Sequence, residues 1–458
     1  MPSRCDELCS LVACNCARVK ANVVEKANMI KKIGKDDPRR IIHSVKVGSA
    51  LSLVSLLYYF RPLYNGFGEA GMSAILTVVL VFEFTVGGTL SKSLNRGCAT
   101  LAAGSLGLGA AYLSTLGGDK GGQVIIGVLV FLLATAATFI RFFPNVKSKY
   151  DYGVMIFILT FSLVAVTGSR VDEILPLAYT RLLTVLIGAT TCIVISIFVC
   201  PVWAGQDFTH MLAGNIEKLA DFLQGIGNDF QSFGEIGVLK ESHDTRTFLT
   251  GYKSVLNSKA VEDTLANFSS WEPPHGRFGF GFPWKQYLKI GVLNRECAIE
   301  IELLGRYIID SKLYQVPVSP EFHLKFQKPC ARMSIEACKA LEELSHAIRN
   351  MSFPSLPAVA IHIQYSKAAA DELQTNIMLT DLLLPKHDLQ ETMQLFLVAS
   401  TLIDIIRCIE KISVSVNELA LSARFKKSKA REEKMGPRGV IEVNKDCVIV
   451  HIPRASGE

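Results

Sequence analysis

The sequence predicts an all-α membrane protein, with six transmembrane helices followed by an all-helical cytosolic domain. Three observations carry that prediction. Mean hydropathy is +0.30 although 20% of the 458 residues are charged, so apolar and charged residues must be segregated along the chain. Every strongly apolar run of span length lies before Cys200. After Trp203 the apolar residues take up the period of amphipathic helices: Met211, Leu212, Ile216, Leu219, Phe222 and Leu223 share one face, with Glu217, Lys218 and Asp221 largely opposite.

Residues 1–40 form a basic segment with nine Lys/Arg, among them Lys31, Lys32, Lys35, Arg39 and Arg40, which the positive-inside rule keeps in the cytosol. No cleavable signal peptide is evident, so the first apolar run is expected to act as its own insertion signal. Cys5, Cys9, Cys14 and Cys16 match no strong zinc spacing and read as spare thiols, with acylation as the alternative. The domain from 41 to 203 holds six runs long enough for a ~30 Å hydrocarbon core. They cover 41–60, 72–91, 97–116, 124–140, 153–168 and 182–200. An even number returns the C-terminus to the cytosol. The loops agree: Lys92, Arg96, Arg141, Lys147 and Lys149 fall inside, and Glu69, Asp119, Asp172 and Glu173 outside. In the third run Ala99, Ala103, Gly107 and Ala111 repeat every fourth residue, a strip of small side chains suited to close helix packing.

Residues 204–425 read as a cytosolic helical domain, with helices after the first at about 245–267, 284–312, 319–350, 364–384 and 388–425. Ser319-Pro320 supplies a cap and a first-turn proline. The tail, 426–458, is basic and partly flexible, with a short strand expected between Val440 and Ile452. Ser428 lies among its cations and is a candidate for a regulatory kinase acting on the C-terminal domain.

Two stretches stand out chemically. The run from Met72 to Arg96 carries Glu83 near the middle of the expected second span, where an ionised, unpartnered carboxylate costs roughly 3 kcal/mol. Glu83 should therefore face protein or water, and Lys92 and Arg96 are expected in the short connection that follows. The second stretch runs from Trp271-Glu272-Pro273-Pro274 to Phe282-Pro283-Trp284. Its prolines forbid a helix while its aromatics need burial, so it should be an ordered loop at a domain or subunit interface, with direct gating as the alternative.

Net charge is +6, but the basic residues cluster at the N-terminus and at 424–438 instead of interleaving with aromatics, which argues against nucleic acid. The nine histidines form no HExxH pair, and GxSxG and GxxxxGK[ST] are absent, which argues against an enzyme. The twelve cysteines are scattered and suggest no disulfide framework.

Several motifs then occur together: Pro38-Arg39-Arg40-Ile41-Ile42-His43-Ser44-Val45-Lys46-Val47-Gly48, Val81-Phe82-Glu83-Phe84-Thr85-Val86-Gly87, Leu90-Ser91-Lys92-Ser93-Leu94-Asn95-Arg96-Gly97, Tyr150-Asp151-Tyr152-Gly153, Trp203-Ala204-Gly205 and Trp271-Glu272-Pro273. In this order they resemble the plant aluminium-activated malate transporter family, whose members include rapidly activating, voltage-dependent anion channels. The resemblance implies a homodimer in the lipid bilayer, both termini cytosolic, and passive flow of malate and inorganic anions, with chloride, nitrate and sulfate expected among them; no cofactor and no metal are expected. It also implies that Arg96 and Arg181 face a shared pore in symmetric pairs. The expected location is the plasma membrane, with the vacuolar membrane as the alternative. Ser73, Gly88 and Gln206 depart from the family pattern, at the outer end of the second span and at the membrane-to-cytosol joint.

The residue chemistry suits that implication. Arginine's planar fork matches a carboxylate and does not lose its proton, and exit requires a few cations rather than a deep pocket. Arg96, Arg181, Lys46 and Lys92 lie near span ends, where such a ring could form; snorkelling to headgroups is the bland alternative for each. Glu83 would hold one of these cations in place. In a competing reading, a proton-coupled exporter of organic or aromatic acids, Glu83 and His43 would carry protons.

Overall fold

The computed structural model describes residue 20 and residues 22–59, 72–167, 171–232, 248–276, 281–310, 320–381 and 389–425. Among these residues the protein is helical, with no strand. The four N-terminal cysteines, Ser428 and the expected strand near 440–452 lie outside them.

A helix over residues 22–36, α1, precedes the first apolar helix α2, Arg39–Tyr59. Next come α3, Met72–Val81, and α4, Val86–Thr115. After these, α5 covers Gly118–Ile140, the short α6 Pro144–Lys149, α7 Asp151–Thr167 and α8 Val171–Phe198. Within α5 and α8, the segments Gly121–Ile140 and Ala178–Phe198 are long and apolar enough to cross a membrane. Their outward side chains include Phe131, 69% exposed, and Phe198, 79% exposed, the sort of apolar surface that water does not tolerate in bulk.

The second expected span does not form as one helix. α3 stops at Val81, and residues 82–85 are non-helical before α4 starts. The cause is a cap: Thr85 is extended, with φ −103° and ψ 153°, and its hydroxyl accepts from the Gly88 amide at 3.2 Å, which opens a new helix there. The Val86 amide donates to the Val202 carbonyl at 2.9 Å, fixing this start beside the end of α8. Two expectations are corrected as a result. Glu83 sits in the break between helices, not in the middle of one. Lys92 and Arg96 lie inside α4, which at 30 residues is about 45 Å long, and not in a connection.

The small-residue strip packs as its spacing predicts. Ala103 packs with Phe161 and Ala165 of α7 and Ala111 with Val164, and a Cβ placed on Gly107 would stand 2.6 Å from Val164 Cγ1. A second apolar cluster joins Ala50 and Val54 of α2 to Ala74, Val78 and Val81 of α3 and Cys192 of α8.

The remaining helices are α9, Ala204–Ser232; α10, Phe248–Leu256; α11, Lys259–Ser269; α12, Trp284–Asp310; α13, Pro320–Asn350; α14, Leu356–Asp381; and α15, Leu389–Ser422. The expected helix at 245–267 is thus two, divided by a turn at Asn257-Ser258. Leu212, Ile216, Leu219, Phe222 and Leu223 of α9 are fully buried in one continuous core with α12, α13 and α15, each burial stabilising by roughly 1.5–3 kcal/mol.

Candidate functional site

The break before α4 and its first eleven residues hold Glu83, Lys92 and Arg96, and Arg181 comes from the first half of α8. Lys92 and Arg96 are four residues apart on α4 and so share a face. Lys92 is ion-paired with Glu83, and its Nζ lies 5.6 Å from the centroid of the Tyr152 ring. Arg96 is 5% exposed and donates from Nη1 to the Tyr152 hydroxyl at 3.3 Å. Arg181 of α8 is close enough to Arg96 for the two charges to repel. The Nε atoms of both arginines are buried without an acceptor. The site therefore presents two guanidinium groups within electrostatic reach of each other, each with a donor to spare, an arrangement that an anion would satisfy.

Lys46 follows a different course. It is 3% exposed, and its Nζ donates at 2.8 Å to the carbonyl of Cys200, a residue held at φ 42° just beyond α8. A cation on the last carbonyls of a helix is favourable both for hydrogen bonding and for the helix dipole. One turn earlier, His43 packs against Phe82 and Phe84, with ring centroids 5.8 and 5.4 Å away, and its Nδ1 is buried without a partner.

The proline-rich loop docks where the apolar helices meet the second half of the chain. The Glu272 carboxylate accepts from the Ala204 amide at 2.5 Å, from the Gly205 amide at 3.1 Å, and from the Gly87 amide. One side chain thereby caps the first turns of α4 and α9 together. Gly87 is needed for this approach, because a Cβ there would lie 2.1 Å from the Phe268 carbonyl oxygen. Burial pushes the Glu272 carboxyl up to about 7, against the three backbone donors, which lower it. Trp203 stacks on His275 at 3.5 Å between ring centroids. Trp271 is half-buried and donates its amide to the Phe268 carbonyl at 3.0 Å. Pro273 is exposed, and its carbonyl accepts from His275 Nδ1 at 2.8 Å. Trp284 lies under Lys149 and Lys285, with ammonium groups 5.3 and 5.5 Å from its ring centroids.

Three contributors escaped sequence reasoning as parts of the site. Tyr152, named above only as part of a motif, touches both Lys92 and Arg96. Asn95 donates to the Lys149 carbonyl at 3.1 Å and so pins α4 to α6. Arg39 reaches Asp207 of α9 at 2.7 Å across 168 residues of sequence. Tyr152 and Asn95 stand in recurring motifs, which is the signal that could have flagged them.

Span-length apolar helices with buried, acceptor-poor cations among them define a class, that of helical membrane transport proteins. Comparison with known proteins carries this to a family. Residues 31–386 match the model of the aluminium activated malate transporter family, and the chain belongs to that family. Among its relatives, aluminum-activated malate transporter 2 of Arabidopsis thaliana is 47% identical over 416 residues, covering 91% of this chain and 81% of the relative. Aluminum-activated malate transporter 1 of the same plant is 47% identical over 398 residues, covering 86% and 79%. Aluminum-activated malate transporter 1 of Triticum aestivum is 43% identical over 408 residues, covering 87% and 86%.

Proposed function

We propose that this protein is an anion channel that passes malate and inorganic anions passively. The observation that carries the proposal is the pair Arg96 and Arg181, whose buried Nε atoms have no acceptor and whose charges lie within electrostatic reach of each other. Like charges held together in a low-dielectric setting are costly unless anions come and go between them. The names of the relatives supply malate; chloride, nitrate and sulfate follow from the same charge chemistry.

In this proposal α2, α3 with the 82–85 break, α4, α5, α7 and α8 are the six spans of a domain at 41–203. Residues 1–40, the helical domain at 204–425 and the tail at 426–458 are cytosolic. Irregular backbone at membrane depth is tolerated only where it is buried in protein or lines water, which supports placing Glu83 beside the conduction route. Two copies would bring their arginines to a common axis, in the plasma membrane or alternatively the vacuolar membrane. Lys92 and Lys46 would hold the positive potential nearby, with Glu83 positioning Lys92. The Trp271-Glu272-Pro273 loop and Trp284 would relay movement of the cytosolic helices to α4. The Glu83–Lys92 ion pair favours this positioning role over proton carriage. Voltage and anion regulation would act through the permeant anion and the pore cations, since a charge crossing the whole field gains about 2.3 kcal/mol per 100 mV.

Whole-cell recording with malate on the cytosolic side tests the proposal. Arg96→Ala and Arg181→Ala should each lower malate conductance roughly tenfold or more, since one charged hydrogen bond is worth about 1.5–3 kcal/mol. The reversal potential should follow the anion gradient and ignore the proton gradient. Unaltered conductance and selectivity in both variants, with wild-type surface expression, would overturn the assignment.

A further inference from the structure

We propose that α1 is an interfacial helix that lies on an anionic leaflet. The proposal rests on α2 being a membrane span. Val23, Ala27, Ile30 and Gly34 recur at i, i+4, i+7 and i+11, so they form one face of α1, and Ile33 borders it. Among the described residues that face has no protein cover: Val23 is 59% exposed, Ile30 70% and Ile33 43%. Lysines flank it, Lys31 and Lys35 on one side and Lys26 on the other, with Lys20 just ahead of α1, all exposed. The acids Glu25 and Asp36 fall on the far side of the helix.

The strip does not end with α1. A Cβ on Gly34 would stand 2.9 Å from Ile41 Cδ1, so the apolar face of α1 runs directly into the outward face of α2, where Ile41 is 55% and Val45 62% exposed. If lipid covers α2 there, the same lipid surface continues under α1. An apolar stripe edged by lysines fits a headgroup layer, with aliphatic side chains at the acyl boundary and ammonium groups on phosphates and carboxylates. A soluble acidic protein would satisfy the lysines but would not explain continuity with α2. Each lysine near such a surface is worth about fivefold in occupancy.

The test uses the full chain carrying Ile30→Trp, reconstituted with brominated lipids, with the quenching of the wild-type protein's three tryptophans subtracted. Vesicles of phosphatidylcholine alone are compared with vesicles containing about 30% phosphatidylserine, an anionic leaflet of the recognised kind. The reporter at position 30 should be quenched more strongly in the anionic vesicles, and changing Lys20, Lys26, Lys31 and Lys35 together to Gln should abolish the difference. A second reporter, Leu56→Trp on the exposed side of α2, checks the span. Quenching at 56 without quenching at 30 overturns the proposal and leaves the span standing. No quenching at either position overturns both. Equal quenching at 30 in both vesicle types, unaffected by the lysine changes, overturns the anionic partner.

Discussion

Replacing Glu272 with glutamine should change how the stability of this protein depends on pH. The Glu272 carboxyl is raised from its usual 4.5 to about 7 by burial, so ionising it in the folded protein costs about 3 kcal/mol at 1.36 kcal/mol per pH unit. Its folded pKa lies above the unfolded one, so between those values the folded protein holds a proton that the unfolded chain has released. Stability from this group therefore falls as pH rises through the window from 4.5 to about 7, and stays low above it. Between pH of about 5.5 and about 8 the loss is about 2 kcal/mol. Glutamine does not ionise and carries no such dependence. The wild type should gain on Glu272→Gln as pH is lowered across that range, by roughly 4–8 °C in melting temperature for a unit of this size. Parallel thermal melts of the purified proteins in nanodiscs measure the gap at each pH. A gap that stays constant would mean that Glu272 is not held in the desolvated, doubly capping position described here.

Gly107→Leu should cost about 1–3 kcal/mol or more by overpacking, since even a Cβ there reaches 2.6 Å from Val164 Cγ1, and the purified variant should melt lower or lose monodispersity. Glu262 is fully buried, ion-paired with Arg295 and bonded by the Ser258 hydroxyl at 2.7 Å. Glu262→Leu should therefore destabilise the helices of the second half of the chain by about 3–5 kcal/mol, read as a lowered melting temperature, because a half-buried guanidinium is left unpaired. Thr85→Ala should cost about 1 kcal/mol at the start of α4, with Thr85→Ser restoring most of it in the same melts, because only the hydroxyl accepts from Gly88.

The helices of the second half were largely legible because amphipathic period reports burial directly. The expected helix at 319–350 forms as Pro320–Asn350, and that at 388–425 as Leu389–Ser422. The close packing at Gly107 was legible for a related reason, since small residues at a regular spacing have few other uses in a helix. Hydropathy failed at residues 82–85. Val81, Phe82, Phe84 and Val86 are as apolar as their flanks, and a capping threonine leaves no trace in an average. Charge content picked out Glu83, Lys92, Arg96 and Arg181 as site candidates and anticipated that Glu83 would pair with a cation, but it gave no hint of the Tyr152 hydroxyl that Arg96 reaches. Lys46 reaches a backbone carbonyl 154 residues away, and no sequence pattern encodes the acceptor of such a bond. The α1 helix was overlooked because its lysines, counted only as topology signals, hid a four-residue apolar stripe.

The contacts at the base of α4 also bear on biosynthesis. Lys46 waits for Cys200, Val86 for Val202, Arg39 for Asp207, and Gly87 for Glu272, each partner being synthesised long after the segment that needs it. Apolar helices can enter the bilayer as they are made, but this junction cannot close until the ribosome has passed residue 272. A nascent chain stalled between residues 207 and 272 could make the other three contacts but would leave the Gly87 amide at the start of α4 without its acceptor.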